Sequence, residues 1–218
     1  MPKIFSAKDL TSVKAQMKLW ASELGFCMIG IAGTDLSQEE ARLFEWLADG
    51  RHGDMHYMAK HGDRRTKPDA IHPGTIRVVS VRMDYFPDSA TPPTEILQDS
   101  TRGYVSRYAL GRDYHRLMRR KLQKLADLIS GEVGPFRYRA FVDSGPVMEK
   151  PLAVKDGLGW LGKHTNLIDK ESGSFFFLGE LYTDLPLPLD DEQTDHCGDC
   201  NLCMTACPTG AIDRAYQL

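Results

Sequence analysis

Apolar residues recur at helical spacing from residue 6 onward: Leu10, Val13, Met17, Trp20 and Leu24 fall on one face of an amphipathic helix. The apolar run over residues 26–32 predicts a strand behind it. Ser37, Gln38, Glu39 and Glu40 read as a capping box, opening a second helix whose stripe is Leu43, Phe44 and Leu47 and which stops at Gly50. Residues 76–85, IRVVSVRMDY, carry the best strand pattern in the chain, after a turn at Pro73 and Gly74. Prolines then break residues 86–95 into a loop, and residues 104–110 read as a short extended piece. Asp113 is placed to cap a long helix with Leu117, Leu122, Leu125, Leu128 and Ile129 on its buried side and Gly131 at its end. Strands are predicted again over residues 137–142 and 174–182, with a proline-rich linker over residues 184–195. Helices and strands in this mixed order describe an α+β protein.

Composition narrows the class. A hydrophobic share of 42% and a charged share of 26% are those of an ordinary globular chain, and 218 residues suffice for a substantial core. A formal charge of -3 argues against a surface dominated by nucleic-acid binding, although a local basic patch is compatible with it. No apolar run is long enough to cross a bilayer and residues 1–10 lack the apolar centre of a signal peptide, so the expectation is a cytoplasmic protein with no membrane contact.

The chemistry concentrates near the carboxyl end. Cys197, Cys200, Cys203 and Cys207 form C-x2-C-x2-C-x3-C-P, the run with which bacterial-type ferredoxins hold 4Fe-4S clusters through thiolates. Zinc usually takes two ligand pairs separated by a longer finger, so iron-sulfur is preferred over zinc and over redox cysteines. In two-cluster ferredoxins the fourth cysteine serves the other cluster, so the pattern expects ligands beyond these four and therefore a longer polypeptide. Cys27, in an apolar run, is expected to be a small buried hydrophobe.

Two tempting motifs are set aside. His52, His56 and His61 lie among cations in residues 51–67, but the glutamate of H-E-x-x-H is missing; a solvated or anion-contacting surface is preferred, with Arg64 and Arg65 suited to a phosphate. Residues 157–162, GLGWLG, match G-x-G-x-x-G, yet they follow a helix-like stretch instead of a strand. Glycines around an exposed Trp160 read better as a compact turn, or as backbone admitting a large flat ligand.

Several stretches together resemble one family: YALGRDYHRLMRRKL at residues 108–122, VDSGPVMEKPLA at 142–153, GLGWLGKHTNLI at 157–168, GSFFFLGEL at 173–181 and CGDCNLCMTACPTGAI at 197–212 are similar to epoxyqueuosine reductases. The resemblance implies a nitroreductase-like, cobalamin-binding catalytic domain over residues 1–190, followed over residues 191–218 by the first part of a bacterial-type ferredoxin module. It implies cobalamin without a protein base as lower ligand, two 4Fe-4S clusters, tRNA carrying epoxyqueuosine as substrate, an unidentified electron donor and a monomer. The implied reaction is reduction of the epoxide to the cyclopentene with loss of water.

On that resemblance Asp143 is the proton donor; read without it, Asp143 would cap the next helix. Lys163, His164, Thr165 and Asn166 offer donors and acceptors to corrin amides or the nucleotide tail, and a base-free cobalt argues against His164 as a ligand. Arg65, Ser106, Arg112 and Leu178 are further cofactor candidates, whereas Tyr108, Tyr114 and His115 read as packing residues around a helix start. Arg119, Arg120, Lys121 and Lys124 make a basic helix face that is either solvated or turned to RNA phosphate. The competing classes are another corrinoid reductase, such as a reductive dehalogenase, and a ferredoxin-like electron carrier.

Overall fold

The computed structural model describes residues 7–86 and 91–218. The helix start expected at residue 6 and part of the proline loop lie outside the described residues. In chain order the elements are α1 (Ala7–Glu23), β1 (Met28–Ala32), α2 (Ser37–Ala48), α3 (Pro68–Ile71), β2 (Arg77–Asp84), α4 (Pro93–Gln98), α5 (Tyr114–Val133), β3 (Tyr138–Phe141), α6 (Glu149–Lys155), β4 (Trp160–Leu161), β5 (Leu167–Ile168), β6 (Phe176–Thr183) and α7 (Leu202–Ala206). Strands β1, β2, β6 and β3 lie in that order in one sheet, every neighbour antiparallel, while β4 and β5 form a separate two-stranded hairpin. This is the α+β class that the sequence predicts.

The sheet is buried on both faces, which is why β2 and β6 read as nearly continuous apolar runs without alternation. Met17 of α1 and Met118, Leu122 and Ile129 of α5 cover one face with Ile31, Val79, Val81 and Leu181. Helix α6 covers the other, where Leu152 meets Val78, Phe141 and Tyr182. Antiparallel register aligns Gly30, Ser80, Glu180 and Phe141 across the four strands, as one row on the α6 side. A Cβ on Gly30 would stand 2.2 Å from the carbonyl oxygen of Asp156, so the missing side chain lets the end of α6 sit directly on β1.

Several local expectations are corrected. The capping box does not close: Asp35 Oδ1 accepts from the Ser37 amide at 3.0 Å, and of the expected stripe only Leu43 is buried while Phe44 is exposed. Asp113 does cap α5, accepting from the His115 amide at 3.0 Å, but the helix runs past Gly131 to Gly134. Of the expected buried side Leu122, Leu125 and Ile129 are inside; Met118, Ala126 and Val133 join them, while Leu117 and Leu128 face outward. Residues 104–110 contain a 3-10 turn, Arg107–Ala109, rather than an extended piece.

Cys27 is exposed, because it precedes β1 and points away from the neighbouring Phe26. Residues 184–190 are not a free linker. Leu185 and Leu187 are buried, the Asp190 amide donates to Ile31 O at 2.9 Å, and Asp190 Oδ2 accepts from the Ile31 amide at 3.0 Å. The segment is a strap across β1.

Candidate active site

Strand β3 ends at Phe141, and two residues later Asp143 adopts φ 55, a left-handed conformation that is uncommon for a residue with a side chain. Its neighbours account for that conformation. The Asp143 amide donates to Glu149 Oε1 at 2.6 Å, Tyr114 Oη donates to Asp143 Oδ2 at 2.7 Å, and His115 Nε2 stands 3.3 Å from the same oxygen. His115 Nδ1 in turn lies 2.8 Å from Asp113 Oδ1. The first turn of α5 and the first turn of α6 therefore grip the Asp143 turn from two sides and leave its carboxylate exposed.

Beside this turn opens a cleft of about 260 Å3, lined by Tyr85, Tyr108, Tyr114, Lys150, Asn166 and Leu178, among others. Its wall is aromatic: Tyr114 stacks on Phe177 with ring centroids 3.8 Å apart and planes 9° from parallel. Burial, then the hydrogen bond to Asp143, raises the Tyr114 phenol above its ordinary range, so the hydroxyl stays a donor. Lys150 reaches across to Thr165 O at 3.1 Å and Asn166 Oδ1 at 2.8 Å, and burial pulls its pKa down.

Behind the acid lies a buried carboxyl group set that sequence reading missed. Burial pushes Glu149 up to about 7 and Asp156 up to about 7. Glu180, in the central cross-strand row and wholly buried, is raised well above the usual carboxylate range by burial and by the nearby carboxylates Glu149, Asp156 and Asp143. Among the described residues neither of its oxygens meets a hydrogen-bond partner. A charged residue inside the apolar run SFFFLGELY was the available signal.

The sequence-derived cofactor residues separate in space. Asn166 and Leu178 line the cleft, and Thr165, at φ 67, borders it through its carbonyl. Ser106 precedes the 3-10 turn that carries Tyr108 to the cleft. His164 Nδ1 is used within the turn, accepting from the Asn166 amide at 3.0 Å. Arg65 is buried elsewhere, donating to Tyr57 O at 3.3 Å. Lys163 points the other way, to Gly198 O at 2.6 Å and Cys200 O at 2.9 Å.

The glycines of GLGWLG serve close protein packing: a Cβ on Gly157 would meet Asp191 O at 2.5 Å, and one on Gly159 would meet Ile168 O at 2.4 Å. Trp160, expected to be exposed, is buried at the base of the hairpin.

Cys197, Cys200, Cys203 and Cys207 are free thiols on a turn and on α7. Hydrogen bonds, led by the Thr209 hydroxyl, lower the Cys207 thiol to about 7, which favours the ligating thiolate. Among the described residues no group of three or more His, Cys, Asp or Glu side chains converges as a metal site, the histidines of residues 51–67 included. By donor type and spacing the four thiols suit an iron-sulfur cluster.

A thiol-rich segment of ferredoxin spacing, joined to an α+β unit that carries an exposed acid beside an aromatic cleft, is that of an iron-sulfur protein; residues 193–213 match a 4Fe-4S binding domain. Residues 65–144 match the family described as "Epoxyqueuosine reductase QueG, DUF1730". The epoxyqueuosine reductase of Xanthomonas campestris pv. campestris is 53% identical over 218 residues, covering 100% of this chain and 61% of that protein. A crystal structure of epoxyqueuosine reductase with an epoxyqueuosine-modified tRNA stem loop matches with TM-score 0.81 and 27% identity, over 96% of this chain and 55% of that one. The Bacillus subtilis epoxyqueuosine reductase, in a structure described as having an aspartate catalytic loop swung out of the active site, matches with TM-score 0.81 and 26% identity, over 96% and 55% of the two chains. By sequence and by fold this chain is similar to epoxyqueuosine reductases over nearly all of its length, and it spans about three fifths of the length of the curated relatives it matches.

Proposed function

We propose that the protein containing this chain reduces epoxyqueuosine in tRNA to queuosine. The observation that carries the reading is Asp143, held in a left-handed turn with its carboxylate exposed beside the aromatic cleft. Turning an epoxide into an alkene and water consumes two electrons and two protons, so the site needs an electron source and an acid. Asp143 is the acid that protonates the departing oxygen; Tyr114 and His115 aim its carboxyl group, and Glu149 fixes its backbone.

The cleft suits one face of a flat corrin laid across its open side: Tyr85, Tyr108 and Leu178 offer apolar surface, and Lys150 and Asn166 offer polar groups to peripheral amides. When bound there, cobalamin supplies electrons at a potential that no side chain reaches. The nitroreductase-like catalytic domain would comprise residues 1–190, closed by the strap that ends at Asp190, with residues 191–218 opening a ferredoxin module of two 4Fe-4S clusters. Arg119 Nη2 donates to Ser144 Oγ at 2.7 Å, so one cation of α5 adjoins the acid, which supports a contact there with tRNA phosphate. We take the working form to be a cytoplasmic monomer served by a separate electron donor.

The test is anaerobic reconstitution of the full-length natural protein with iron, sulfide and cobalamin, followed by nucleoside mass spectrometry of epoxyqueuosine tRNA. Queuosine is the expected product. Its absence under strong reductant, with cobalamin bound, would overturn the reading.

A further inference from the structure

The turn joining β4 to β5 touches two centres at once. Its second residue, Lys163, donates from Nζ to the carbonyls of Gly198 and Cys200, at 2.6 and 2.9 Å. Three residues on, Asn166 lines the cleft and accepts from Lys150 at 2.8 Å. The turn is internally braced: Thr165 N donates to Gly162 O and Gly162 N to Asn166 O, both at 2.8 Å.

The cysteine segment is braced against the same hairpin. Tyr216 N donates to Lys163 O at 2.9 Å, and Tyr216 Oη donates to Asp195 Oδ2 at 2.6 Å. Asp195 Oδ1 accepts from the Cys197 amide at 2.7 Å, and Trp160 meets His196 edge to face at 4.9 Å. Among these contacts Lys163 alone brings a full positive charge onto the backbone between two of the four thiols. Hydrogen-bonded carbonyls do not neutralise it; the Asp195 carboxylate, whose pKa Lys163 helps to lower, sets one negative charge against it on the same loop.

We propose that Lys163 is a positioning residue for the iron-sulfur cluster: it holds the 197–200 loop against the β4–β5 turn, and its ammonium favours the reduced cluster over the oxidised one. Reduction adds one electron to a thiolate-ligated cluster that already carries negative charge, and a cation fixed beside the ligand loop stabilises the added charge. The same turn carries Asn166 to the cleft, so one short segment of chain links the cysteine loop to the cleft wall. The inference rests on the 4Fe-4S segment and not on the identity of the substrate.

The experiment is a redox titration followed by electron paramagnetic resonance, on the full-length natural protein reconstituted anaerobically, as wild type, Lys163→Arg, Lys163→Gln and Lys163→Met. Iron and sulfide content are measured on the same samples. Arg, which keeps charge and donors, should keep the cluster and its potential. Gln and Met should shift the reduction equilibrium of one cluster toward the oxidised form by about tenfold, which is about 59 mV for a one-electron couple. Loss of the cluster from Gln and Met but not from Arg would equally support the role in holding the loop. Wild-type iron content and wild-type potential in Gln and Met would overturn the proposal, as would loss of the cluster from all three variants. Queuosine formation does not enter any of these readouts, so failure of the substrate assignment is separable from failure here.

Discussion

The Tyr114 hydroxyl donates to Asp143 Oδ2 at 2.7 Å, tying the first residue of α5 to the turn after β3 although 29 positions separate them. The bond is made from a ring already fixed by stacking on Phe177. Aim and rigidity of the acid thus come from different contacts on one side chain.

That separation can be tested. Tyr114→Phe keeps the stack and removes one hydrogen bond, so stability should fall by only about 0.5–1.5 kcal/mol. Turnover should fall by about tenfold, the order expected for a misaligned acid. Asp143→Asn should abolish turnover while cobalamin uptake, read by absorbance, is unchanged. If Tyr114→Phe works at the wild-type rate, the hydrogen bond does not aim the acid.

The buried carboxyl set predicts how stability depends on pH. Burial pushes Glu149 and Asp156 up to about 7 in the folded chain, against about 4 when unfolded, and it raises Glu180 well above the usual carboxylate range. Between those values the folded chain binds more protons than the unfolded one. The stabilisation is therefore complete below about pH 4 and is lost as pH rises through about 7. Glu180→Gln removes the most deeply buried of these acids while keeping its shape. Its melting temperature should exceed the wild-type value at pH 8, with the gap closing toward pH 5. Equal gaps at both pH values in thermal denaturation would show that Glu180 does not titrate with unfolding.

Gly30 predicts a steric penalty on the same row. An added methyl would approach Asp156 O to 2.2 Å and Leu158 Cδ1 to 2.7 Å, and backbone cannot move aside as a side chain can. Gly30→Ala should cost about 1–3 kcal/mol, as overpacked cores do. A variant that melts with the wild type would mean that α6 rides freely over β1.

What could be read in advance was local. Cysteine spacing, the cap at Asp113 and the apolar run of β2 each depend on residues a few positions apart. The site depends on contacts between distant positions. Nothing near Tyr114 in sequence says that its hydroxyl meets Asp143, and Lys163 follows a glycine turn without any local sign that it reaches the cysteine loop. On α5 the pattern finds Leu122, Leu125 and Ile129 but adds Leu117 and Leu128 in place of Met118 and Ala126, because Leu looks more apolar than Ala whereas packing is decided by the helix's phase. Pro186 and Pro188 mark a segment without regular structure; they do not reveal that Leu185 and Leu187 are inside.

The strap gives the last prediction. Asp190 Oδ2 accepts from the Ile31 amide at 3.0 Å, and Oδ1 pairs with Lys14 at 2.8 Å. Asp190→Ala leaves the Ile31 amide without its acceptor at an edge of the sheet, at a cost of about 1–3 kcal/mol. For a chain of this size that lowers the melting temperature by about 2–4 °C per kcal/mol. Asp190→Asn keeps an acceptor oxygen for the amide and loses only the partly exposed ion pairs with Lys14 and Lys18, so it should be several-fold less damaging. Thermal denaturation of the two variants decides whether the strap is held by the backbone amide or by charge: equal losses would assign it to Lys14, and no loss in either would return residues 184–190 to the status of a linker.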